Sequence, residues 1–126
     1  MAAADKWPAV QKEFSVGEEK RQFPRVEVTW PVTMLTAQGP IEGEVNNISL
    51  GGAFVHCQEQ PESNETFRMI IKVPHSRQFL RASARVARSN IYNPEGTDEP
   101  RGIGVRFVEI SDDDRQYIRE VVAEQQ

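Results

Sequence analysis

The sequence predicts an all-β fold with a terminal helix: a six-stranded antiparallel β-barrel capped by a C-terminal α-helix. Two observations carry this prediction. Six short segments alternate apolar and polar side chains and are separated by turn residues such as Gly, Pro, Asn and Ser. The last segment instead repeats its apolar residues at helical spacing. We expect the helix to cover an open end or a face of the barrel.

The first strand shows the alternation most clearly. Its apolar positions are Val26, Val28, Trp30, Val32 and Met34. Pro31 cannot donate to a neighbouring strand, so this strand is expected to lie at a sheet edge or to carry a bulge there. A turn at Gln38-Gly39-Pro40 leads to a second strand over 41–48, and Gly51-Gly52 separates it from a third over 53–57.

Three more strands complete the predicted barrel. The fourth has alternating apolar residues at Phe67, Met69, Ile71 and Val73, and Pro74 ends it. The fifth, over 79–91, is expected to turn Leu80, Ala82, Ala84 and Val86 inward and Arg81, Ser83 and Arg85 outward. A turn at Asn93-Pro94-Glu95-Gly96 precedes the last strand, over 102–110.

The C-terminal segment predicts an amphipathic helix over about 112–124. Ser111 is a suitable N-cap, and the acidic run Asp112-Asp113-Asp114 suits the positive end of a helix. The apolar positions that follow are Tyr117, Ile118, Val121 and Val122. Capping therefore explains the three aspartates better than a cation site does.

Composition indicates one soluble domain. The chain has 126 residues, with 38% hydrophobic and 27% charged side chains. No apolar run approaches the roughly 20 residues that cross a bilayer, and the N-terminus lacks the apolar core of a signal peptide. We therefore expect a cytoplasmic protein without membrane insertion. Residues 1–18 are expected to be a flexible tail, with docking on a partner or on the domain's own surface as the alternative, and the domain to occupy 19–126.

Charge and side-chain chemistry exclude several classes of function. A net charge of -4 argues against direct nucleic-acid binding, which needs a basic excess. Cys57 is the only cysteine and is expected to pack as a small hydrophobe, and His56 and His75 are too few for a metal site. No nucleophile–base pair or nucleotide-phosphate loop is visible. We therefore predict no metal, no cofactor and no enzymatic activity.

Two short motifs point to an anionic, base-bearing ligand. Arg21 and Arg25 lie four positions apart in Arg21-Gln-Phe-Pro-Arg25, with Lys20 just before them. A planar guanidinium can bind a phosphate bidentately or stack on a base. The second motif, Asn47-Ile-Ser49-Leu-Gly-Gly52, follows a predicted strand. An amide can hydrogen-bond a base edge and a glycine permits close approach, although ordinary turn chemistry also explains these residues.

The pair of motifs, in this order, resembles the R-x-x-x-R and [D/N]-x-S-x-x-G signatures of the PilZ domain family. The resemblance extends over residues 19–123 and includes the Gly102-Ile-Gly-Val-Arg-Phe strand. It implies a bacterial receptor for the second messenger cyclic di-GMP, with Lys20, Arg21, Arg25, Asn47, Ser49 and Gly52 as ligand-binding residues. In this family a basic residue before the first motif is associated with two intercalated ligands, and Lys20 occupies that position.

The resemblance also implies how the residues would act. Arg21 and Arg25 would clamp guanine and phosphate, and Asn47, Ser49 and Gly52 would form the floor of the site. Asp is commoner than Asn at the position of Asn47. We expect a stand-alone receptor, a monomer or weak homodimer, whose N-terminal arm orders on binding and relays the signal to an unidentified effector protein. The alternative is a PilZ-fold adaptor that contacts proteins and ignores the nucleotide.

Overall fold

The computed structural model describes residues 24–91 and 101–125, which form six strands and a helix. The strands are β1 (Val26–Thr36), β2 (Gly39–Ile48), β3 (Gly52–His56), β4 (Phe67–Lys72), β5 (Phe79–Ser89) and β6 (Gly102–Ile110). The helix, α1, is Asp112–Gln125. The predicted tail, Lys20, Arg21 and the turn at Asn93–Gly96 lie outside the described residues.

The strands close into an antiparallel barrel in the order β1-β2-β3-β6-β5-β4, with β4 returning to β1. Consecutive strands pair as hairpins, except that β3 pairs with β6. The predicted six-stranded barrel with one terminal helix is confirmed. Because the sheet closes on itself, the described strands leave no long unpaired edge.

The alternation of the sequence sorts side chains between the barrel interior and its surface. The interior is filled by apolar residues from every strand, including Val32, Met34, Val45, Val55 and Phe107, all nearly or fully buried. On β5, Leu80, Ala82 and Ala84 point inward as predicted, whereas Val86 is half-buried and packs against the core from its edge.

Pro31 shows how the barrel accommodates a residue that cannot donate a backbone hydrogen bond. The predicted sheet edge is wrong, since β1 pairs on both sides. The predicted bulge lies just before the proline, where the β1–β2 register shifts between Glu27 and Trp30. Pairing with β4 begins only at Val32, so the proline lies outside that ladder.

Helix α1 begins at the predicted cap. The Ser111 hydroxyl accepts a hydrogen bond from the Asp114 backbone N–H at 3.1 Å. Ile118 is fully buried and Val122 nearly so, and both belong to the barrel core. Asp114 also reaches the barrel, because its carboxylate accepts a hydrogen bond from the Arg81 backbone N–H at 3.1 Å. In the part of the chain that the structure describes, no helix has the length and apolarity to cross a membrane.

Candidate ligand-binding site

The second motif forms the tight connection between β2 and β3. The Ser49 backbone N–H donates to the Gly52 carbonyl at 2.8 Å, which closes the turn. The Ser49 hydroxyl accepts hydrogen bonds from the backbone N–H groups of Gly51 at 3.1 Å and Gly52 at 3.3 Å. Ser49 is also buried, so its first role in this structure is to hold the turn.

Gly52 is required by the packing of β3 on β6. A Cβ atom at this position would overlap the backbone carbonyl of Val105, which cannot move without disturbing the strand. The Gly51 carbonyl also accepts a hydrogen bond from the Phe107 backbone N–H at 2.9 Å. The last glycine of the motif therefore has a structural explanation that does not depend on a ligand.

Arg25 lies at the same end of the barrel as this turn. It immediately precedes Val26, whose Cα partner on β2 is Ile48. Arg25 is one residue before Val26 and Ser49 is one residue after Ile48, so Arg25 and Ser49 lie at the same level. The arginine is exposed, which suits a side chain that meets a ligand at the surface.

A row of outward-facing residues crosses five strands beside the turn. Cross-strand pairs connect Glu27 to Asn47, Asn47 to Phe54, Phe54 to Gly104, and Gly104 to Arg88. Directly paired residues on antiparallel strands project to the same side of the sheet. An acid, an amide, an aromatic ring, a glycine and a guanidinium therefore lie in line on the outer surface.

Two glycines of β6 let neighbouring groups pack closely against the strand. A Cβ atom at Gly102 would overlap the backbone carbonyl of Val55 and come within 2.9 Å of the Phe54 ring, which lies over this glycine. The Arg88 side chain lies over Gly104, where a Cβ atom would come within 3.3 Å of both Cγ and Nε. The Arg88 side chain therefore lies along the barrel surface over Gly104, the cross-strand partner of Phe54.

These side chains border two adjoining concavities, which we call the polar groove. One has a volume of about 260 Å³ and is lined by Asn47, Phe54, Arg88, Ser89, Asn90, Gly102 and Gly104. The other has a volume of about 450 Å³ and is lined by Glu27, Val28, Thr29, Asn46, Asn47 and Phe54. Asn47 and Phe54 belong to both, so they form the ridge between the two parts of the groove.

The electrostatic character of the polar groove changes from end to end. Arg88 provides a cation at the β5 end, whereas Glu27 provides a carboxylate at the β1 end, directly opposite Asn47. The Asn46 amide is engaged nearby, donating to the Glu44 carboxylate at 3.2 Å. An anionic group is therefore favoured at the Arg88 end, and a hydrogen-bond donor at the end near Glu27 and Asn47.

Of the predicted site residues, Asn47 lines the polar groove, Ser49 and Gly52 build the turn beside it, and Arg25 lies at the same end of the barrel. Lys20 and Arg21 lie outside the described residues. Sequence reasoning missed Phe54 and Arg88, and it used Gly102 and Gly104 only as part of the strand that carries the family resemblance. Two small residues spaced by two on a strand, facing an aromatic residue, were the available signal.

Cys57 packs inside the barrel. Burial raises the pKa of the Cys57 thiol to about 11, so the predicted packing role is confirmed and the thiol stays protonated. Residues 24–91 and 101–125 contain no group of three His, Cys, Asp or Glu side chains arranged to hold a metal ion.

The PilZ domain family model matches residues 19–124, and the chain therefore belongs to the PilZ family. Among curated proteins no relative was found. Among solved structures, the inhibitor of motility MotI/DgrA of Bacillus subtilis superposes with a TM-score of 0.69 at 24% identity, over 94% of this chain and 56% of that one.

Two further structures come from the YcgR protein of Escherichia coli, both solved with c-di-GMP. The structure of the longer YcgR chain superposes on this chain with a TM-score of 0.68 at 11% identity, over 84% of this chain and 46% of the YcgR chain. Its PilZ domain alone gives a TM-score of 0.57 at 17% identity, over 83% and 90% of the two chains. The present chain thus spans about half the length of the solved MotI and YcgR chains.

Proposed function

We propose that this protein is a receptor for cyclic di-GMP, which binds in the polar groove and beside the Ser49 turn. The observation that carries the proposal is the row from Asn47 to Arg88. It combines a base-edge acceptor, an aromatic ring and a planar cation beside the motif turn, with Gly102 and Gly104 beneath the ring and the cation. Family membership and the c-di-GMP complexes of YcgR support the choice of ligand.

The chemistry of the ligand matches these groups. Cyclic di-GMP carries two phosphodiesters and two guanines, each with O6 and N7 acceptors on one edge and N1–H and N2–H donors on another. Arg25, together with Arg21, would pair with phosphate oxygens or with the O6/N7 edge. The Asn47 carbonyl would accept from the donor edge. Arg88 and Phe54 would offer their planar faces to a base, since guanidinium and aromatic groups both stack on nucleobases.

The structural duties of Ser49 and Gly52 refine their proposed roles. The Ser49 hydroxyl already accepts two backbone hydrogen bonds, which leaves its proton for a ligand oxygen in place of the longer 3.3 Å contact to the Gly52 carbonyl. Gly52 would contribute to ligand binding through its backbone, because the place of its missing side chain faces the Val105 carbonyl and not the ligand. Both residues thus support the floor by holding the turn against β6.

Lys20 bears on the stoichiometry. A cation just before Arg21 would face the phosphates of a second, intercalated ligand, so we propose two ligands per chain. Calorimetry should then give a ratio of two for the wild type and one for Lys20→Leu. A ratio of one in both proteins would contradict the proposal for Lys20 without affecting the receptor function.

A nucleotide-independent adaptor is the second candidate. It is favoured by one observation, namely that Ser49 and Gly52 are both explained by the turn they build. In that case the motif would persist for folding alone. Arg25 and Arg88 are both exposed, so a ligand at the surface can reach them.

Titration calorimetry with purified protein separates the two candidates. A receptor should bind cyclic di-GMP with micromolar or tighter affinity that weakens as salt rises, and GTP and cyclic AMP should compete poorly. The groove is tested with Arg88→Ala and Phe54→Leu, with Arg119→Ala on α1 as the matched exposed control. Absence of heat and of NMR shift changes at millimolar ligand would refute the receptor. Wild-type affinity in both groove variants would show that the ligand binds outside the polar groove.

A further inference from the structure

A second surface of the barrel concentrates cationic side chains. It lies on the outside of β4, β5 and β6, and we call it the basic face. Its cations are Arg68, Lys72, Arg81, Arg85 and Arg106. Carboxylates border it at Glu109, at the end of β6, and at Asp114, which is hydrogen-bonded to the Arg81 backbone. On a chain with a net charge of -4, this segregation leaves a locally positive surface.

The strand register makes the basic face continuous. Arg68 pairs with Leu35 on one side and with Ser83 on the other, and Ser83 pairs in turn with Glu109. This row crosses four strands, or roughly 14 Å at about 4.8 Å between neighbours. Residues two positions on either side of Ser83 share its face, and these are Arg81 and Arg85.

Two of these arginines are placed at an energetic cost. Arg85 and Arg106 are direct cross-strand partners, and like charges in that position destabilise a sheet. The Arg85 guanidinium turns to donate a hydrogen bond to the Asn64 backbone carbonyl at 2.8 Å. An anionic group arriving from outside would remove the repulsion between the two arginines.

The basic face is also apolar. The exposed large hydrophobic side chains of the described residues are Leu35, Phe79 and Val108, with 42%, 46% and 45% of their surfaces exposed. Leu35 pairs with Arg68 and Phe79 pairs with Lys72. Val108 is the extra residue of β6 where the β5–β6 register shifts between Ser83 and Ala84, so all three lie on or beside this face. Arginine mixed with aromatic and aliphatic groups is typical of protein–protein interfaces, whereas binding to a nucleic-acid duplex depends mainly on cations that contact phosphates.

We propose that the basic face docks an acidic surface of a partner protein. Carboxylates of the partner would lie over the arginines, and its apolar side chains would cover Phe79 and Val108. This rests on the relay to a partner in the proposed function and names the face that performs it. Arg106 is also the cross-strand partner of Gly52, so the basic face begins where the motif turn ends. Ligand at the turn and partner on the basic face would therefore be neighbours.

The test begins with photo-crosslinking of the full chain in the cells that express it. Benzoyl-phenylalanine replaces Phe79 on the basic face or, as a control, Glu120 on the exposed side of α1. A protein crosslinked from position 79 and not from position 120 is then purified, and its affinity for the chain is measured. Equal crosslinking from both positions, or none from position 79, would overturn the proposal.

The affinity measurement uses variants of equal charge change. Arg68→Glu should weaken binding at least tenfold and Arg68→Gln less, whereas Arg119→Glu on α1 should change it less than twofold. Raising the salt concentration should weaken binding of the wild type but hardly that of Arg68→Glu. Equal effects of Arg68→Glu and Arg119→Glu would overturn the proposal. So would duplex DNA or phosphatidylglycerol vesicles that bind the wild type more tightly than the crosslinked protein does.

Cyclic di-GMP calorimetry keeps this test apart from that of the receptor. Arg68 lies outside the polar groove, so Arg68→Glu should retain the affinity of the wild type for the nucleotide. A wild type that binds the partner but not the nucleotide would refute the receptor and leave the docking surface intact. A wild type that binds the nucleotide but not the partner would refute the docking surface and leave the receptor intact.

Discussion

The polar groove and the basic face lie on the same barrel, but different kinds of residue form them. In the groove, Gly102 and Gly104 have no side chains, and Phe54 and Arg88 therefore lie close against β6. The basic face is made by long side chains standing out from β4, β5 and β6. A concave, polar surface suits a small ligand, and a convex surface of arginine and hydrophobic groups suits a protein.

The sharpest way to break this comparison is to remove an arginine of the proposed ligand site and, as a control, one of the basic face. Arg25→Ala, and equally Arg21→Ala, should weaken cyclic di-GMP binding by more than about 2 kcal/mol, or about 30-fold, because each loses charge-assisted hydrogen bonds. Arg25→Lys should restore little, since the planar fork is lost. Calorimetry provides the measurement.

The matched control for this experiment is Arg68→Ala on the basic face, which should leave nucleotide affinity unchanged. Thermal denaturation should show nearly equal midpoints for Arg25→Ala and the wild type, as Arg25 lies outside the core. A collapse of stability together with binding would mean that Arg25 has a structural role instead.

A second experiment separates two kinds of glycine. Gly52→Ala should lower the free energy of unfolding by about 2 kcal/mol or more, because its Cβ atom would overlap the Val105 carbonyl. Gly104→Ala should cost far less, because its Cβ atom would displace only the flexible Arg88 side chain. Urea denaturation would measure both. Equal losses in the two variants would show that β6 packs differently from the structure described here.

Asn47 tests the chemistry of the ridge in the groove. Asn47→Ala should weaken ligand binding by about 1 kcal/mol through loss of a hydrogen bond. Asn47→Asp should preserve or improve binding, because a charged acceptor is stronger. The same change should cost a few tenths of a kcal/mol of stability, since the new carboxylate would face Glu27 across the β1–β2 pair.

The stability cost should disappear in the double variant Asn47→Asp/Glu27→Gln, which removes the facing charge. Strong loss of binding in Asn47→Asp would show that the amide donates to the ligand, and the proposed role of its carbonyl would then be wrong.

The smallest expected effect concerns Cys57, which lies inside the barrel and belongs to neither surface. Its pKa of about 11 predicts little thiolate at neutral pH, so alkylation should be slow in the folded protein and fast in urea. The unfolded thiol ionises at lower pH, so this residue should favour unfolding only as the pH rises above its unfolded pKa. Fast labelling without denaturant would show that the barrel opens near β3.

The fold was readable because alternation and turn residues report directly on burial. Val32, Met34 and Phe107 occupy the interior as their spacing predicts, and Ser111 caps the helix. Pro31 was harder, because the sequence indicates that a ladder must be interrupted but not whether the interruption is an edge or a bulge. Closure of β1 on β4 decides that question, and closure depends on contacts distant in sequence.

By itself, the sequence determined the strands, the helix and the motif that turns β2 into β3, because each depends on neighbours a few residues apart. Tertiary structure alone decided which distant residues share a surface. The register of β3, β5 and β6 brings Phe54 and Arg88 over the β6 glycines beside Asn47, and the pairing of β4 with β1 and β5 joins Leu35 to the arginines. A register shift of one residue would turn these side chains to the opposite side of the sheet, so local patterns could not specify either surface.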